Sequence, residues 1–334
     1  MRSKVWFVLS LLALAAALIQ PAIAAKPGLK CRADGTFKVV MFSDVQDGPR
    51  LDPRATALME KILDTEKPDM VVIGGDCISG GLCKTRDEVK QAISCVAYPM
   101  EKRQIPWAIV FGNHDQEHFA NTKMDKEEVL KVYQSYTCNL NVRGDKKIHG
   151  VGNTDMLIQD SSGKSPVFCL WLIDSNAYAP QNIGGYDWIH ADQVNWYYQT
   201  SLNLETKYGH KIPGIMFFHI PILQFGEMTS KGKFTGDRYE PDAPAKLDGG
   251  LFAAVLERGD VKGIFCGHEH VNNYVGEWMG VKLGYDSSIG YASYNLPDSD
   301  PRSAHTRGGR VFVISQSDPW NFKTWMRFID GSVQ

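Results

Sequence analysis

Five short apolar runs in this chain each end in a polar segment, and this recurrence constrains the possible folds more than any other feature of the sequence. The polar segments are Ser43-Asp44-Val45-Gln46, Gly74-Gly75-Asp76, Gly112-Asn113-His114-Asp115, His219 and Gly267-His268-Glu269-His270. Short apolar runs of this kind predict buried β-strands. In an open parallel sheet the carboxyl ends of the strands line one crevice. We therefore expect the five segments to meet at one place.

Helical segments separate the first three strands. The pattern predicts strands over residues 37–42, 70–73 and 107–111, with helices over residues 53–66 and 87–102 between them. Asp52 is suited to the N-cap of the first helix, and Pro53 to its first helical position. This order of strands and helices favours parallel strands joined by right-handed crossovers.

The rest of the chain continues the alternation before it becomes rich in strands and turns. It predicts strands over residues 167–173, 215–218 and 263–265 and helices over residues 129–136, 191–207 and 247–257. Asp125 and Glu128 form a capping box ahead of the first of these helices. Residues 271–328 are strand-rich. Because no repeat or linker interrupts the sequence, we expect one continuous α/β domain.

The N-terminus has the composition of a secretory signal. Arg2 and Lys4 precede an apolar run over residues 5–19, and Ala22-Ile23-Ala24 is a small-x-small cleavage site. An uncleaved anchor helix is the alternative, but the run is shorter than the ~20 residues that a membrane span needs. We therefore expect residues 1–24 to be a signal peptide and residues 25–334 to be the exported domain, secreted or otherwise extracytoplasmic, with no stable membrane span after cleavage.

Charge and cysteine content narrow the possible functions. The chain has 36 basic and 38 acidic residues and a net charge of −2. A nucleic-acid-binding protein would normally show a basic excess, so no nucleic-acid partner is expected. The seven cysteines are an odd number, which leaves at least one thiol free. Cys83 and Cys95 are a possible disulfide pair.

The polar segments indicate a metal site only when they are considered together. An aspartate or asparagine after a strand is usually a turn residue. Carboxylate, carboxamide and imidazole side chains together suit zinc, manganese or iron better than metals that prefer thiolates. Two such ions about 3.5–4 Å apart can clamp the attacking and leaving oxygens of a displacement. An aspartate is the natural bridge between them.

In order and spacing, these segments resemble the signature of the calcineurin-like metallophosphoesterase family over roughly residues 36–275. The sequences GNHDQE at residues 112–117 and GYDWI at residues 185–189 are most similar to the small purple-acid-phosphatase-like branch. The resemblance implies an α/β fold in which a layered β-sheet sandwich is flanked by helices. It also implies a metal site at the carboxyl ends of the strands.

The resemblance implies a role for each residue. Asp44, Gln46 and His270 would hold a first divalent ion, Asn113, His219 and His268 a second, and Asp76 would bridge the two. A hydroxide between the ions would attack phosphorus. His114 would contact the substrate phosphate and stabilise charge or protonate the leaving oxygen. Asp115 would orient His114.

Two positions depart from the family pattern. Gln46 stands where most members have histidine, and a carboxamide oxygen binds an ion more weakly than imidazole. We therefore expect an easily exchanged first ion and a manganese preference, unless Gln46 leaves that site half-built. Ser79 stands where purple acid phosphatases place an iron-binding tyrosine, so the protein should be colourless. Manganese, zinc and iron all remain candidates for the two ions.

The expected function is that of an exported phosphoesterase that hydrolyses small phosphate monoesters with two metal ions. Hydrolysis of phosphodiesters or nucleotide-type diphosphates at the same site is the alternative, and a non-enzymatic binding protein on this fold is a further one. Four residues, Asn176, Tyr178, Tyr186 and Trp188, are candidates for the pocket edge or for ordinary packing. Arg302 and Arg307 are candidates for a phosphate contact.

Overall fold

The protein consists of two stacked β-sheets with helices on their outer faces. The computed structural model describes residue 26 and residues 28–334. The predicted signal peptide, residues 1–24, lies outside the described residues. Within the described part, no helix combines the length and the apolar character needed to cross a membrane.

The strands are numbered in chain order. They are β1 Thr36–Phe42, β2 Met70–Ile73, β3 Trp107–Ile109, β4 Thr154–Gln159, β5 Pro166–Leu172, β6 Gly214–Phe217, β7 Phe234–Thr235, β8 Val261–Cys266, β9 Val275–Trp278, β10 Val281–Tyr285, β11 Gly308–Ser315 and β12 Lys323–Phe328. The first sheet has the order β12-β11-β1-β2-β3, and the second has the order β4-β5-β6-β8-β10-β9-β7. Strands β1, β2 and β3 are parallel to one another, as predicted, and so are β5, β6, β8 and β10 in the second sheet.

The α-helices are α1 Pro53–Glu66, α2 Arg86–Arg103, α3 Phe119–Thr122, α4 Lys126–Gln134, α5 Ala191–Tyr208, α6 Gln224–Lys231 and α7 Leu251–Arg258. The described residues also form three short 3₁₀ turns, Gly80–Leu82, His114–Gln116 and Pro301–His305. The predicted helix over residues 247–257 starts late, at Leu251. Gly250 adopts a positive φ of 87° and its amide donates to Asp248 Oδ1, so the chain turns here before the helix begins.

The second half of strand β1, residues 39–42, is apolar at every position, and its packing shows why. Val39 and Met41 belong to the core between the two sheets, together with Phe217 of β6. Val40 and Phe42 point the other way, into the core beneath α1 and α2. Since successive side chains of a strand alternate between its faces, a strand covered on both faces must be apolar at every position. The predicted layered α/β sandwich is therefore confirmed.

The possible disulfide between Cys83 and Cys95 does not form, and all seven cysteines are unpaired. Cys83 is buried in the core beneath α2. Cys95 instead lines a groove on the outer surface between α1 and α2. The two thiols therefore lie on different sides of the helical layer.

Candidate metal centre

All seven predicted metal ligands are buried in one place, at the carboxyl ends of strands from both sheets. Asp44, Gln46, Asp76 and Asn113 follow β1, β2 and β3, while His219, His268 and His270 follow β6 and β8. None of the seven is more than 9% exposed. One ligand atom from each of Asp76, His219 and His268 lies within 4.8 Å of the others.

The backbone at this place adopts conformations that L-residues rarely use. Asp44, Gln46 and Asp76 have φ values of 51°, 43° and 45°, and His268 has a φ of 79°. Positive φ in residues other than glycine costs roughly 1–3 kcal/mol each and clusters at functional sites. Hydrogen bonds hold the strained segments together, since Gln46 N donates to Asp76 O at 2.9 Å and Asp44 N donates to Gly75 O at 3.1 Å.

Four buried ligand atoms lack a hydrogen-bond partner within residues 28–334. They are Asp44 Oδ1, Gln46 Oε1, Asn113 Oδ1 and His219 Nε2. Buried polar atoms are nearly always hydrogen-bonded, and an unsatisfied one costs about 1–3 kcal/mol. The four atoms belong to residues that converge on one point, and each can offer a lone pair to a cation, His219 Nε2 after the loss of its proton. The residues present therefore fit a group of divalent cations, which would satisfy these atoms.

The remaining atoms of the same side chains are fixed by the protein. Asp44 Oδ2 accepts from the Ser43 hydroxyl at 2.6 Å and from His268 N at 3.0 Å. Asp76 Oδ1 accepts from His114 N at 2.8 Å. Each carboxylate is thus anchored through one oxygen and presents the other to the site. Asp76 Oδ2 lies 3.0 Å from His219 Nε2.

Carbonyl contacts set the tautomers of two histidines. His219 Nδ1 lies 2.8 Å from Gly74 O, and His270 Nδ1 lies 3.0 Å from Tyr294 O. Because a carbonyl oxygen can only accept, Nδ1 carries a proton in both rings, and Nε2 is the atom that would bind a metal ion. The ring of Tyr294 also stacks on His270 with centroids 4.0 Å apart.

The protonation states of the buried carboxylates and imidazoles favour the binding of cations. Burial acts to raise the pKa of Asp44 and of Asp76, but the positive charge of His219, together with hydrogen bonds from neighbouring side chains, holds the pKa of both carboxyls below their ordinary values. Burial acts to lower the pKa of His219, but Asp76 and Asp44 outweigh it and raise this pKa to about 10, so without a metal ion the His219 ring carries a proton on Nε2 as well. Burial lowers the pKa of His268 to about 3, so this ring stays neutral. Ionised carboxylates and a neutral imidazole are the forms that bind metal ions.

Gly75 makes room for one of the imidazoles. Its φ is +93°, and a Cβ at this position would lie 2.4 Å from Nδ1 of His219. No other residue fits both the conformation and the space. The glycine before the Asp76 segment is therefore required for the two sheets to approach each other at the site.

His114 lies at the rim of the site, with its side chain 34% exposed. The prediction that Asp115 orients it is wrong. The two carboxylate oxygens of Asp115 instead accept from the backbone amides of Ile78 and Gly112, and burial followed by the charge of Asp76 raises its pKa to about 7. Glu117 is the partner of His114, with Oε1 2.9 Å from Nδ1.

Two of the four candidate edge residues border the site. The Tyr178 hydroxyl accepts from Asn113 Nδ2 at 3.1 Å, and the Tyr186 ring lies against His268 with centroids 4.4 Å apart. Asn176 and Trp188 pack within their own loop instead, where Asn176 Nδ2 donates to Trp188 O at 2.8 Å.

The two candidate phosphate-binding arginines are engaged elsewhere. Arg302 forms an ion pair with Asp300. Arg307 donates from Nε to Gly290 O at 3.0 Å and stacks on the ring of Tyr291. Within the described residues, neither guanidinium is bonded to a predicted metal ligand.

Comparisons with known proteins agree with this geometry. The model of the calcineurin-like phosphoesterase family matches residues 37–272. Probable inactive purple acid phosphatase 14 of Arabidopsis thaliana is 32% identical over 301 residues, covering 80% of this chain and 73% of that protein. Probable inactive purple acid phosphatase 29 of the same plant is 29% identical over 346 residues, covering 93% and 87%. A dimetal phosphatase from Danio rerio shares the fold, with a TM-score of 0.55 at 14% identity and coverage of 86% and 98%.

The chain therefore belongs to the calcineurin-like phosphoesterase family, and the predicted resemblance to its purple-acid-phosphatase-like branch is confirmed. Membership implies a dinuclear metal site, and the buried oxygen and nitrogen atoms described above are the candidate ligands.

Proposed function

We propose that this protein is a metal-dependent phosphoesterase that hydrolyses phosphate monoesters at the buried centre. One observation supports the proposal most directly: four candidate ligand atoms, from Asp44, Gln46, Asn113 and His219, are buried without a hydrogen-bond partner among the described residues. A protein that had no use for metal ions would gain stability by replacing such atoms with apolar groups. Their retention supports a working metal centre.

The ligands divide between two ions that share Asp76. Asp44, Gln46 and His270 would hold the first ion, and Asn113, His219 and His268 the second. Support for the first group comes from His270 Nε2, which lies 3.4 Å from Asp44 Oδ1. Support for the second comes from the clustering of His219 and His268 around Asp76.

The ligand types bear on which metal is used. Oxygen and imidazole ligands without a thiolate suit manganese, zinc or iron. The carboxamide of Gln46 binds less strongly than imidazole, so the first ion should exchange readily, and manganese is favoured there. Because Ser79 replaces the tyrosine that gives purple acid phosphatases their colour, the loaded protein should show no visible absorption band.

When bound, the two ions would polarise a phosphoryl oxygen and activate a water molecule for attack on phosphorus. His114 stands at the rim, and its Nε2 has no hydrogen-bond partner among the described residues. In the imidazolium form the ring can donate a proton from Nε2 to the leaving oxygen or stabilise charge on the phosphoryl group. A terminal phosphoryl group presents several charged oxygens at once, and this matches two cations with an adjacent imidazole. The substrate expected from this arrangement is a small phosphate monoester.

A second candidate is hydrolysis of phosphodiesters or nucleotide-type diphosphates at the same centre. Tyr178 and Tyr186 favour it, because their rings stack at the edge of the site with centroids 6.0 Å apart and Tyr178 is 50% exposed. An exposed aromatic surface of this kind can stack on a base. Gln46 favours it as well. A non-enzymatic binding protein is the third candidate, in line with the names of the two Arabidopsis relatives.

Turnover by the purified protein separates these candidates. The protein is stripped of metal, reloaded with manganese, zinc or iron, and assayed on p-nitrophenyl phosphate, its diester and a nucleoside diphosphate sugar. We expect metal-dependent turnover, fastest on the monoester, and its loss in Asp76→Asn. A preference for the diester or diphosphate would select the second candidate. An absence of turnover with every metal and substrate would select the third.

We also propose that residues 1–24 are a cleaved signal and that residues 25–334 are exported. The composition of the N-terminus supports this. Edman sequencing of the protein recovered from outside the producing cells should begin at Ala25. Recovery of a chain that still begins at Met1 would exclude cleavage.

A further inference from the structure

We propose that Glu117 and Tyr178 are positioning residues of the centre: Glu117 orients His114, and Tyr178 orients the carboxamide of Asn113. This inference rests on the proposed function for its kinetic consequences. Its structural basis is a continuous set of hydrogen bonds. Asn113 Nδ2 lies 3.1 Å from the Tyr178 hydroxyl, which lies 3.0 Å from Glu117 Oε1, which in turn lies 2.9 Å from His114 Nδ1.

The chemistry of these groups allows one direction of donation. An amide nitrogen can only donate and a carboxylate can only accept. The Tyr178 hydroxyl therefore accepts from Asn113 and donates to Glu117, and His114 must carry a proton on Nδ1. Two atoms are left free as a result. Asn113 presents its oxygen to the second ion, and His114 presents Nε2 to the substrate.

Local structure fixes Glu117 beside His114. The 3₁₀ turn His114–Gln116 has about three residues per turn, so residues 114 and 117 lie on the same face. The neighbouring turn Gly80–Leu82 packs closely against it. A Cβ at Gly80 would lie 2.6 Å from His114 O, and one at Gly81 would lie 3.2 Å from Glu117 Oε2. Because Gly80 and Gly81 have no side chains, the turn can pack directly against His114 and Glu117.

Tyr178 brings the second sheet into the same network. It lies in the loop after β5, whereas Asn113, His114 and Glu117 lie after β3 of the first sheet. Its ring is held by stacking on Tyr186 and by a β-bridge between the two tyrosines. A single hydroxyl therefore ties a predicted metal ligand to the residue expected to contact the leaving group.

The role of Glu117 is tested by a double-mutant cycle with His114. Glu117→Ala should lower kcat about 10–100-fold, as is typical when the partner of a site residue is removed, with KM and metal content nearly unchanged. Glu117→Gln keeps an acceptor oxygen and should retain more activity than Glu117→Ala. In a His114→Ala background, Glu117→Ala should cause no further loss. An equal loss in both backgrounds would overturn the positioning role.

A matched control exists on the surface. His149 Nδ1 and Asp192 Oδ2 form a similar histidine–carboxylate pair at 2.8 Å, away from the metal ligands. Asp192→Asn should leave kcat unchanged. If Asp192→Asn reduced kcat as strongly as Glu117→Ala, the effect of Glu117 would be a general loss of stability and the proposal would fail.

The role of Tyr178 is tested without turnover. Manganese alone is titrated into the stripped protein and followed by calorimetry. Tyr178→Phe should weaken the second binding step about tenfold, because the Asn113 carboxamide is no longer held with its oxygen toward the site. Tyr98→Phe removes the hydroxyl of an exposed tyrosine on α2 and should change nothing. Unchanged manganese affinity in Tyr178→Phe would contradict the proposal.

One further measurement separates this proposal from the proposed function. Nitrogen NMR of histidine-labelled, metal-free protein reports which ring nitrogen of His114 is protonated. We expect Nδ1–H in the unmodified protein and a shift toward Nε2–H in Glu117→Ala. If turnover is absent but this shift occurs, the proposed function fails and the positioning role stands. If turnover is present and the tautomer is the same in both proteins, the positioning role fails.

Discussion

At the scale of single residues, the site depends on close approach as much as on ligand type. Gly112 illustrates this, because a Cβ there would lie 2.2 Å from Asp76 Oδ1 and 2.3 Å from Asp76 N. Gly112→Ala must therefore displace the carboxylate that both ions would share. We expect a loss of bound metal and a free energy of unfolding lower by about 1–3 kcal/mol. Elemental analysis and chemical denaturation measure the two effects.

Gly226 provides the control for this substitution. It lies within α6, and a Cβ there would meet no atom within 4 Å. Gly226→Ala should leave metal content unchanged and should stabilise the protein by about 0.5–1 kcal/mol through helix propensity. Full metal content in Gly112→Ala would show that the shared carboxylate tolerates displacement.

Gln46 is a proposed ligand of the first ion. Its Oε1 is buried without a hydrogen-bond partner in the described structure. Gln46→Ala should weaken binding of the first ion by at least about tenfold. Removal of a residue that only hydrogen-bonds to a metal ligand already lowers metal affinity about tenfold, and removal of the ligand itself should have a larger effect. Gln46→His should bind the first ion more tightly than the unmodified protein.

Calorimetry with manganese distinguishes these cases. Gln91→Ala, on the exposed surface of α2, should titrate like the unmodified protein. Identical manganese affinities for the unmodified protein and Gln46→Ala would mean that Gln46 is not a ligand and that the first site is incomplete.

The sequence could predict which residues converge, but not which neighbouring side chains hydrogen-bond to them. The ligand residues follow strands, and the ends of parallel strands meet by geometry alone. Glu117 and Tyr294 were missed because their roles depend on loop conformation. Glu117 is the last residue of the GNHDQE motif, one 3₁₀ turn after His114, and that spacing was the available signal. Tyr294 contacts His270 across a sequence separation of 24 residues that includes β9 and β10, and no local sequence pattern connects the two.

At the scale of elements, prediction succeeded where local signals were strong. Helix α1 has the predicted bounds, Pro53–Glu66, and Asp52 accepts from Arg54 N at 2.9 Å as its cap. The capping box of Asp125 and Glu128 is also formed. The start of α7 was misplaced because the apolar Leu247 extends the helical pattern, whereas the Asp248-Gly249-Gly250 turn, which ends it, depends on backbone conformation.

The C-terminal end of α1 is tied to the first sheet by a buried carboxylate. Glu66 is 4% exposed and accepts from Arg327 Nε of β12 at 2.7 Å and from Lys38 Nζ of β1 at 3.1 Å. Burial acts to raise the pKa of Glu66, but these two hydrogen bonds outweigh it, and the pKa lies below its ordinary value of 4.5. The ionised carboxylate therefore stabilises the folded state.

Glu66→Gln should lower the free energy of unfolding by about 2 kcal/mol at neutral pH, the range for hydrogen bonds to charged groups. Because the folded pKa is depressed, this contribution is present above pH 4.5 and is lost as the pH falls through the folded pKa. The difference between the two proteins should therefore shrink in acid. Urea denaturation between pH 3 and pH 7 measures it.

An exposed ion pair provides the comparison for Glu66. Asp87 pairs with Lys90 at 2.9 Å, but its side chain is 90% exposed. Asp87→Asn should change stability by less than about 1 kcal/mol. A difference for Glu66→Gln that stayed constant down to pH 3 would contradict the depressed pKa.

At the scale of the whole molecule, the sequence predicted layers but not the partners within each sheet. Strand β11, near the C-terminus, pairs antiparallel with β1 and places Ile314 opposite Phe37. An alternating or continuous apolar pattern predicts that a strand is buried, but it carries no information on which strand lies beside it. The first sheet is thus completed by residues that are distant in the chain.

The proposed metal centre draws residues from both sheets, so removal of the metal should lower the stability of the whole fold. Asp44 and Asp76 come from the first sheet, while His219 and His268 come from the second. An ion that binds only the folded state stabilises it by about 2.7 kcal/mol when its concentration is 100 times the dissociation constant. For a protein of this size we expect Tm to rise by about 5 °C or more on addition of manganese to stripped protein, because each kcal/mol is worth about 2–4 °C. Differential scanning calorimetry measures the shift.

His219→Ala should abolish most of this rise, whereas His210→Ala, at an exposed position, should retain it. A rise of the same size in His219→Ala would mean that manganese stabilises the protein from another place, and that the centre between the sheets is not where it binds.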